Sequence, residues 1–233
     1  MKGSPSVNQP RIRAVTNWIF LRAAGPDRPR VILPEKVFPA ARELEERFPA
    51  LRAEIDALLE KRTIPAYGAF DPVRAAQVSE EWKLYYAYMY GQSNELARDE
   101  VPTLLSFAQS RPEVVNAFVS ILDPGVELAP HKDPYAGVLR YHLGVRVPRV
   151  NPPHIRLDQD RHTWKEGEGR VLDVSVEHEV VNTSEEPRVV VIIDFRRPMG
   201  FFASALNRYM LRLKRKWAPQ FVEASRYDVM HAA

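Results

Sequence analysis

The spacing of apolar positions changes about half-way along this chain of 233 residues. In the first half it is helical. Leu44, Phe48, Leu51, Ile55, Leu58 and Leu59 recur at intervals of three and four, which predicts a helix over about 39–62. Arg42, Glu45, Glu46, Arg52 and Glu54 fall on its other side, read as a solvated face, and the TIPAYG segment ends it. A second helix is expected over 101–110, with Pro102 in its first turn and Arg111-Pro112 after its end. Between them WKLYYAYMYG reads as a strand or strand pair. Most of its rings are expected in a core, and Trp82 is the one to line a site.

From Val114 the pattern becomes one of short β-rich runs: VVNAFVSIL, VELAP, VLRYHLGVRV, HIRL, GRVLDVSV, HEVVN and RVVVIIDF. Turn residues separate them, which argues for a sandwich or small barrel. A double-stranded β-helix, the jelly-roll or cupin-like arrangement, fits. The expected chain is therefore mainly β with flanking helices. A polar arm and a short apolar patch (TNWIFL) occupy 1–38, the main domain 39–200 with its β core at about 114–198, and a helix and tail 201–233. No internal repeat or low-complexity segment is present.

Composition narrows the chemistry. Hydrophobic residues make up 45% and charged residues 27%, ordinary for a globular chain. There is no cysteine, so disulfides and thiolate metal sites are excluded, and any metal must use His, Asp or Glu. A net charge of +3 does not by itself call for nucleic acid, and none is expected as a partner. No run of 18 apolar residues and no basic-then-apolar leader is seen, so a cytoplasmic protein is expected.

The chemistry concentrates in HKDPYAGVLRYHLGVRVP, from His131 to Pro148. On an extended strand, alternate residues share a face, so His131 and Asp133 aim together, as do Arg140 and His142. An imidazole and a carboxylate so placed are two ligands of the 2-His-1-carboxylate iron site, and His178 in SVEHEVVN is the best third. Arg188 opens the apolar run RVVVIIDF, where burial is costly without an anion. A dicarboxylic cosubstrate that chelates iron and is gripped by this guanidinium accounts for all four residues. Blander readings exist: the His-x-Asp as a surface turn, His178 as a strand-end residue, Arg188 paired with Asp194 or Glu186. The order and spacing of the whole set favour a site. His154 and His162 are expected to be exposed, and His231 lies in the tail.

Residues from about 48 to 198 resemble the aspartyl/asparaginyl β-hydroxylase family of Fe(II)- and 2-oxoglutarate-dependent dioxygenases. SILDPGVELAPHKDPYAGVLRYHLGV, TWKEGEGRVLDVSVEHEVVN and PRVVVIIDFRRP carry the resemblance. It implies a double-stranded β-helix with iron on His131 and His178. It also implies 2-oxoglutarate surrounded by Ser120, Arg140, His142 and Arg188, with Arg188 on the distal carboxylate, and Trp82 at the border of the site. Two positions depart from the animal peptide hydroxylases that name the family. They have glycine where this chain has Asp133, so a complete triad is expected here. They have a substrate-recognising arginine where this chain has Val138, which argues against a peptide substrate.

HKDPYAGVLRYHLG looks closer to the bacterial branch that hydroxylates acyl chains of lipid A or ornithine lipids. The expected reaction is therefore O2-dependent hydroxylation of an unactivated C–H, with C2 of a membrane-lipid acyl chain first. β-Hydroxylation of an aspartyl or asparaginyl residue, or of a free amino acid, is the alternative. That branch usually carries a membrane segment; here FFASALNRYMLRLKRKW offers a basic amphipathic helix instead. It either lies on an anionic membrane, on the inner face, or packs on the domain. A non-catalytic jelly-roll binding module is the reading of another class, and it predicts a lost ligand where none is missing.

Overall fold

The computed structural model describes residues 10–69, 71–79, 81–217 and 219. It opens on helix α1 (Pro10–Ala24), so the patch expected in isolation is part of a helix; residues 1–9 of the expected arm and 220–233 of the expected tail lie outside the described residues. The patch lies within this helix, where Thr16 and Phe20 are buried. Apolar Ile12, Val15 and Trp18, all exposed, hide the helical period. After β1 (Val31–Ile32) and α2 (Pro34–Val37), the predicted 39–62 helix is two, α3 (Ala41–Glu46) and α4 (Phe48–Lys61). Pro49 in the first turn of α4 has no N–H to continue the ladder, and the break falls at Arg47. Nor is the polar side wholly solvated. Glu45 accepts from the Tyr141 hydroxyl (2.9 Å) and Glu54 from the backbone N–H of Thr103 (3.0 Å).

A short helix, α5 (Pro72–Val78), precedes the aromatic hairpin β2 (Lys83–Met89) and β3 (Gln92–Ser93). Helices α6 (Ala97–Glu100) and α7 (Pro102–Gln109) then lead into the β core. Its strands are β4 (Val114–Leu122), β5 (Glu127–His131), β6 (Val138–Arg146), β7 (His154–Leu157), β8 (Asp160–Thr163), β9 (Gly169–Leu172), β10 (His178–Val181) and β11 (Arg188–Arg196). Helix α8 (Phe201–Lys214) follows. Helix α5 and strand β8 have too few apolar residues to show a period, and the sequence reading lacks both.

A seven-stranded sheet, ordered β1-β9-β6-β11-β4-β2-β3, faces a four-stranded sheet ordered β5-β10-β7-β8. This antiparallel pair of sheets is the expected double-stranded β-helix. Its large sheet is covered on both sides, which is why β4 and β11 read as largely apolar runs and are buried throughout or nearly so. Odd positions such as Val119, Leu143 and Val191 pack with Leu51, Ile55 and Phe107 of the helices. Even positions such as Phe118, Val190 and Ile192 pack with Leu128, Ile155 and Val180 of the small sheet. Ser120, Arg140, His142, Arg188 and Asp194 share that even-numbered, inward face.

One buried ion pair ties the ends of this sandwich together. Arg197, just past β11, donates to both oxygens of Asp173, at 3.0 and 2.6 Å. The same guanidinium donates to the carbonyl of Ala136, and its backbone N–H to that of Gly137. Arg28 adds a third donor to Asp173 at 2.8 Å. Burial pushes the Asp173 carboxyl up, but the Arg197 bonds and charge outweigh it and hold it at about 2. A depressed carboxyl stabilises the fold above its unfolded value, near 3.8, and that share is lost as pH falls through about 2. Asp173→Asn should therefore cost about 3–5 kcal/mol at pH 7. In urea titrations the gap between variant and wild type should narrow as pH falls from about 4 to about 2; a gap constant over that range rules out the pair as its origin.

Candidate metal centre and its cavities

Strands β5 and β10 are antiparallel neighbours, and their register sets His131 directly opposite His178. The two rings lie 4.2 Å apart between centroids. Asp133 is not on the strand: β5 ends at His131, and the loop brings the carboxylate round. Its backbone N–H donates to the carbonyl of Val174 (3.1 Å), so a contact between loops does what strand alternation was expected to do. Nδ1 of His131 lies 2.6 Å from the Ala129 carbonyl, and Nδ1 of His178 lies 3.0 Å from that of Val176. Such bonds put the proton on Nδ1 and leave each Nε2 lone pair free for a metal. One ligand atom from each of His131, Asp133 and His178 lies within 4.8 Å of the other two.

The electrostatics keep these three in ligating form. Burial lowers both histidines, His178 to about 4, so the imidazoles are neutral near pH 7. Burial pushes Asp133 up, but Arg140, followed by His178 and Arg74, outweighs it and brings the carboxyl to about 2. Arg140 contacts Asp133 at 3.0 Å and grips Asp194 on the neighbouring strand through two N–H groups, at 2.7 and 3.2 Å. It thus fixes the orientation of Asp133. Two neutral imidazoles and a carboxylate form a donor set that suits Fe(II).

Behind the trio is a narrow cavity bounded by Ser120, His142, Arg188 and Trp82. Arg188 is only 1% exposed, yet no carboxylate pairs with it among the described residues. Asp194 belongs to Arg140, and the pairings with Asp194 or Glu186 weighed from sequence do not form. Arg188 donates to the Ser120 hydroxyl (3.0 Å) and lies over the Trp164 ring (4.8 Å), while its Nε has no partner. Burial lowers its guanidinium to about 9, still charged at neutral pH. The Trp164 indole donates to Nδ1 of His142 (3.2 Å), so Nε2 of His142 carries the proton, and that atom too is unpartnered. Two unfilled buried donors thus border one cavity. Its free volume is about 20 Å³, room for one water, because Trp82 and Arg188 both reach across to Ser120.

On the other side of Arg140 and Asp133 is a wider chamber of about 200 Å³. Tyr67, Tyr86, Tyr90 and Tyr135 wall it, with Val138 and Lys214 among the others. Lys214 comes from α8; its Nζ lies 4.7 Å from the centre of the Tyr135 ring, and burial lowers it to about 8. Asn207 docks α8 here, accepting from the Tyr135 hydroxyl and donating to the Gly137 carbonyl. A side chain at Gly137 would collide with Asn207 and Tyr135.

Residues 45–198 match the aspartyl/asparaginyl β-hydroxylase family. The chain belongs to that family. It is 34% identical over 179 residues to the ornithine lipid ester-linked acyl 2-hydroxylase of Rhizobium tropici, covering 76% of this chain and 64% of that protein. It is 29% identical over 163 residues to human aspartyl/asparaginyl β-hydroxylase, covering 67% of this chain but 21% of that one. A cupin domain of an XRE family transcriptional regulator from Enterobacter cloacae covers 50% of this chain at 14% identity and a TM-score of 0.35.

The β-hydroxylase region thus holds every site residue read from sequence, and the fold brings them together around two adjoining cavities. Trp82 borders both, and Val138 lies in the chamber. His162, expected to be exposed, is half-buried against Trp164. His154 is half-buried on β7, and His231 lies outside the described residues. Trp164, Arg74 and Asp194 went unread as site residues. A lone carboxylate in RVVVIIDF was the available signal for Asp194; its partner shows only in the strand register. Loss of one imidazole should weaken Fe(II) binding at least tenfold, measured by titrating His178→Ala. Wild-type affinity in that variant would remove His178 from the ligand set.

Proposed function

We propose that this chain is an Fe(II)- and 2-oxoglutarate-dependent hydroxylase, with C2 of a membrane-lipid acyl chain as its first substrate reading. The observation that carries it is the pair of unfilled buried donors, Arg188 Nε and His142 Nε2, beside a ready donor set for a metal. Both lack an acceptor, and a carboxylate offers only acceptors. His131, Asp133 and His178 would hold the iron. Arg188, with Ser120 and His142, would hold the distal carboxylate of 2-oxoglutarate, and the Trp82–Ser120–Arg188 chain must part to admit it. Arg140 borders the same space, but its bonds to Asp194 and Asp133 suit it better to positioning the metal's carboxylate. Bound together, iron and 2-oxoglutarate use O2 to convert a C–H to C–OH, releasing succinate and carbon dioxide. The rest is placement: the tyrosine-walled chamber must hold one substrate carbon beside the metal and keep bulk water out.

The resemblance to the Rhizobium tropici acyl 2-hydroxylase and the apolar Val138 favour lipid. Lys214 favours the second reading. It restores to the chamber a cation that Val138 removes, and it suits a substrate carboxylate such as that of an amino acid or peptide. A non-catalytic module would leave the buried Arg188 charge without a purpose that offsets its desolvation. No described helix is long and apolar enough to cross a membrane.

Two measurements test the proposal. Arg188→Ala should lower apparent 2-oxoglutarate affinity at least tenfold while Fe(II) affinity holds, the loss of a buried charge-assisted pair being about 2–5 kcal/mol. Unchanged affinity would mean the carboxylate is held elsewhere. Succinate release should rise with ornithine lipid and not with aspartyl peptides; the reverse result selects the second reading.

A further inference from the structure

Helix α8 has two working faces. The inner one carries Asn207 and Lys214 to the chamber. The other borders a separate cavity of about 180 Å³, lined by Arg196 at the end of β11 and by Arg208, Arg212 and Arg215. Tyr90, Val115 and Leu211 belong to both cavities, so they open side by side. No Asp or Glu lines this second cleft. Among the described residues none of the four guanidinia makes an ion pair.

That contrasts with the arginines of the two helices before the first core strands. On α3, α4 and the turn between them, Arg42 pairs with Glu46, Arg47 with Glu43 and Arg52 with Asp56. Helix α8 contains no acidic residue at all. Like charges spaced four apart on a helix repel, so the arrangement is unfavourable in isolation. Arg196 is half-buried, its guanidinium pulled down by burial and by Arg208, with Glu113 acting the other way. A solvated fringe of arginines needs no cleft and buries none of its members.

Aromatic residues stand beside these charges. Phe201 is 76% exposed, Phe202 86% and Tyr209 57%. At 100° per residue, Phe201, Arg208, Arg212 and Arg215 fall within an arc of about 60°. Cations and aromatic rings on one exposed helical face are the chemistry of a membrane interface.

We propose that this cleft binds the phosphate of an anionic phospholipid headgroup, with Phe201 and Phe202 entering the adjoining acyl boundary. The docked bilayer then lies across the mouth of the neighbouring chamber. This inference concerns binding and stands whichever C–H is oxidised. Removal of α8 does not test it, because Asn207 and Lys214 would be lost from the chamber wall; substitutions on the outer face do.

The experiment is vesicle co-sedimentation of the full chain. Vesicles of phosphatidylcholine alone are compared with vesicles that also contain phosphatidylglycerol. Wild type should bind only the anionic vesicles, and less as salt rises. Arg208→Ala/Arg212→Ala should bind them on the order of thirtyfold more weakly. Lys36→Ala/Lys165→Ala, which removes the same charge from exposed positions elsewhere, should bind like wild type. The proposal is overturned by wild-type binding in the arginine variant, or by equal weakening in the lysine control, which would leave net charge alone. It is also overturned if wild type binds inorganic phosphate in titration but not the anionic vesicles, since the cleft would then be a free-phosphate site.

Discussion

The buried Arg197–Asp173 pair is the contact on which the site geometry depends. Arg197 follows the last core strand, and Asp173 opens the loop between β9 and β10. Through Ala136 and Gly137, Arg197 also holds the loop between β5 and β6. Those two loops carry what the metal trio needs. Val174 receives the Asp133 N–H, and Val176 receives Nδ1 of His178. A pair that reads as structural therefore sets the orientation of a carboxylate and an imidazole several residues away. Burying both charges is favourable only because every guanidinium nitrogen and both carboxylate oxygens find partners.

Inside the barrel, charge is distributed unequally, and the inequality is what makes a site. Arg140 is shared between two carboxylates and so is satisfied. Arg188 has a hydroxyl, an indole face and an empty Nε. His142 is fixed by Trp164 into the tautomer that presents a donor to the same space. The charge of Arg140 is thus met without a ligand, and that of Arg188 is short of acceptors.

Helices α1 and α8 both lie outside the region that matches the β-hydroxylase family. Each nevertheless touches the loop beyond Asp133: Asn17 bonds Pro134 and Ala136, and Asn207 bonds Tyr135 and Gly137. Part of the chamber wall, Leu211 and Lys214, is therefore contributed by a helix outside the matched region, and α1 steadies the loop beside it.

The sequence by itself determined the β core nearly strand by strand, because each strand's apolar run is short, local and bounded by turn residues. It also singled out His131, Asp133 and His178 by their order and spacing, and Arg188 because a charge opening an apolar run is rare enough to be seen. The tertiary structure alone decided who pairs with whom. The cross-strand register put Asp194 on Arg140 and left Arg188 without an anion. Loop contacts brought in Asp133, which strand alternation does not reach. Helix α1, with apolar residues on both of its faces, showed no period until its packing partner α8 was present. Pairing is a property of segments distant in the chain, and no local pattern encodes it.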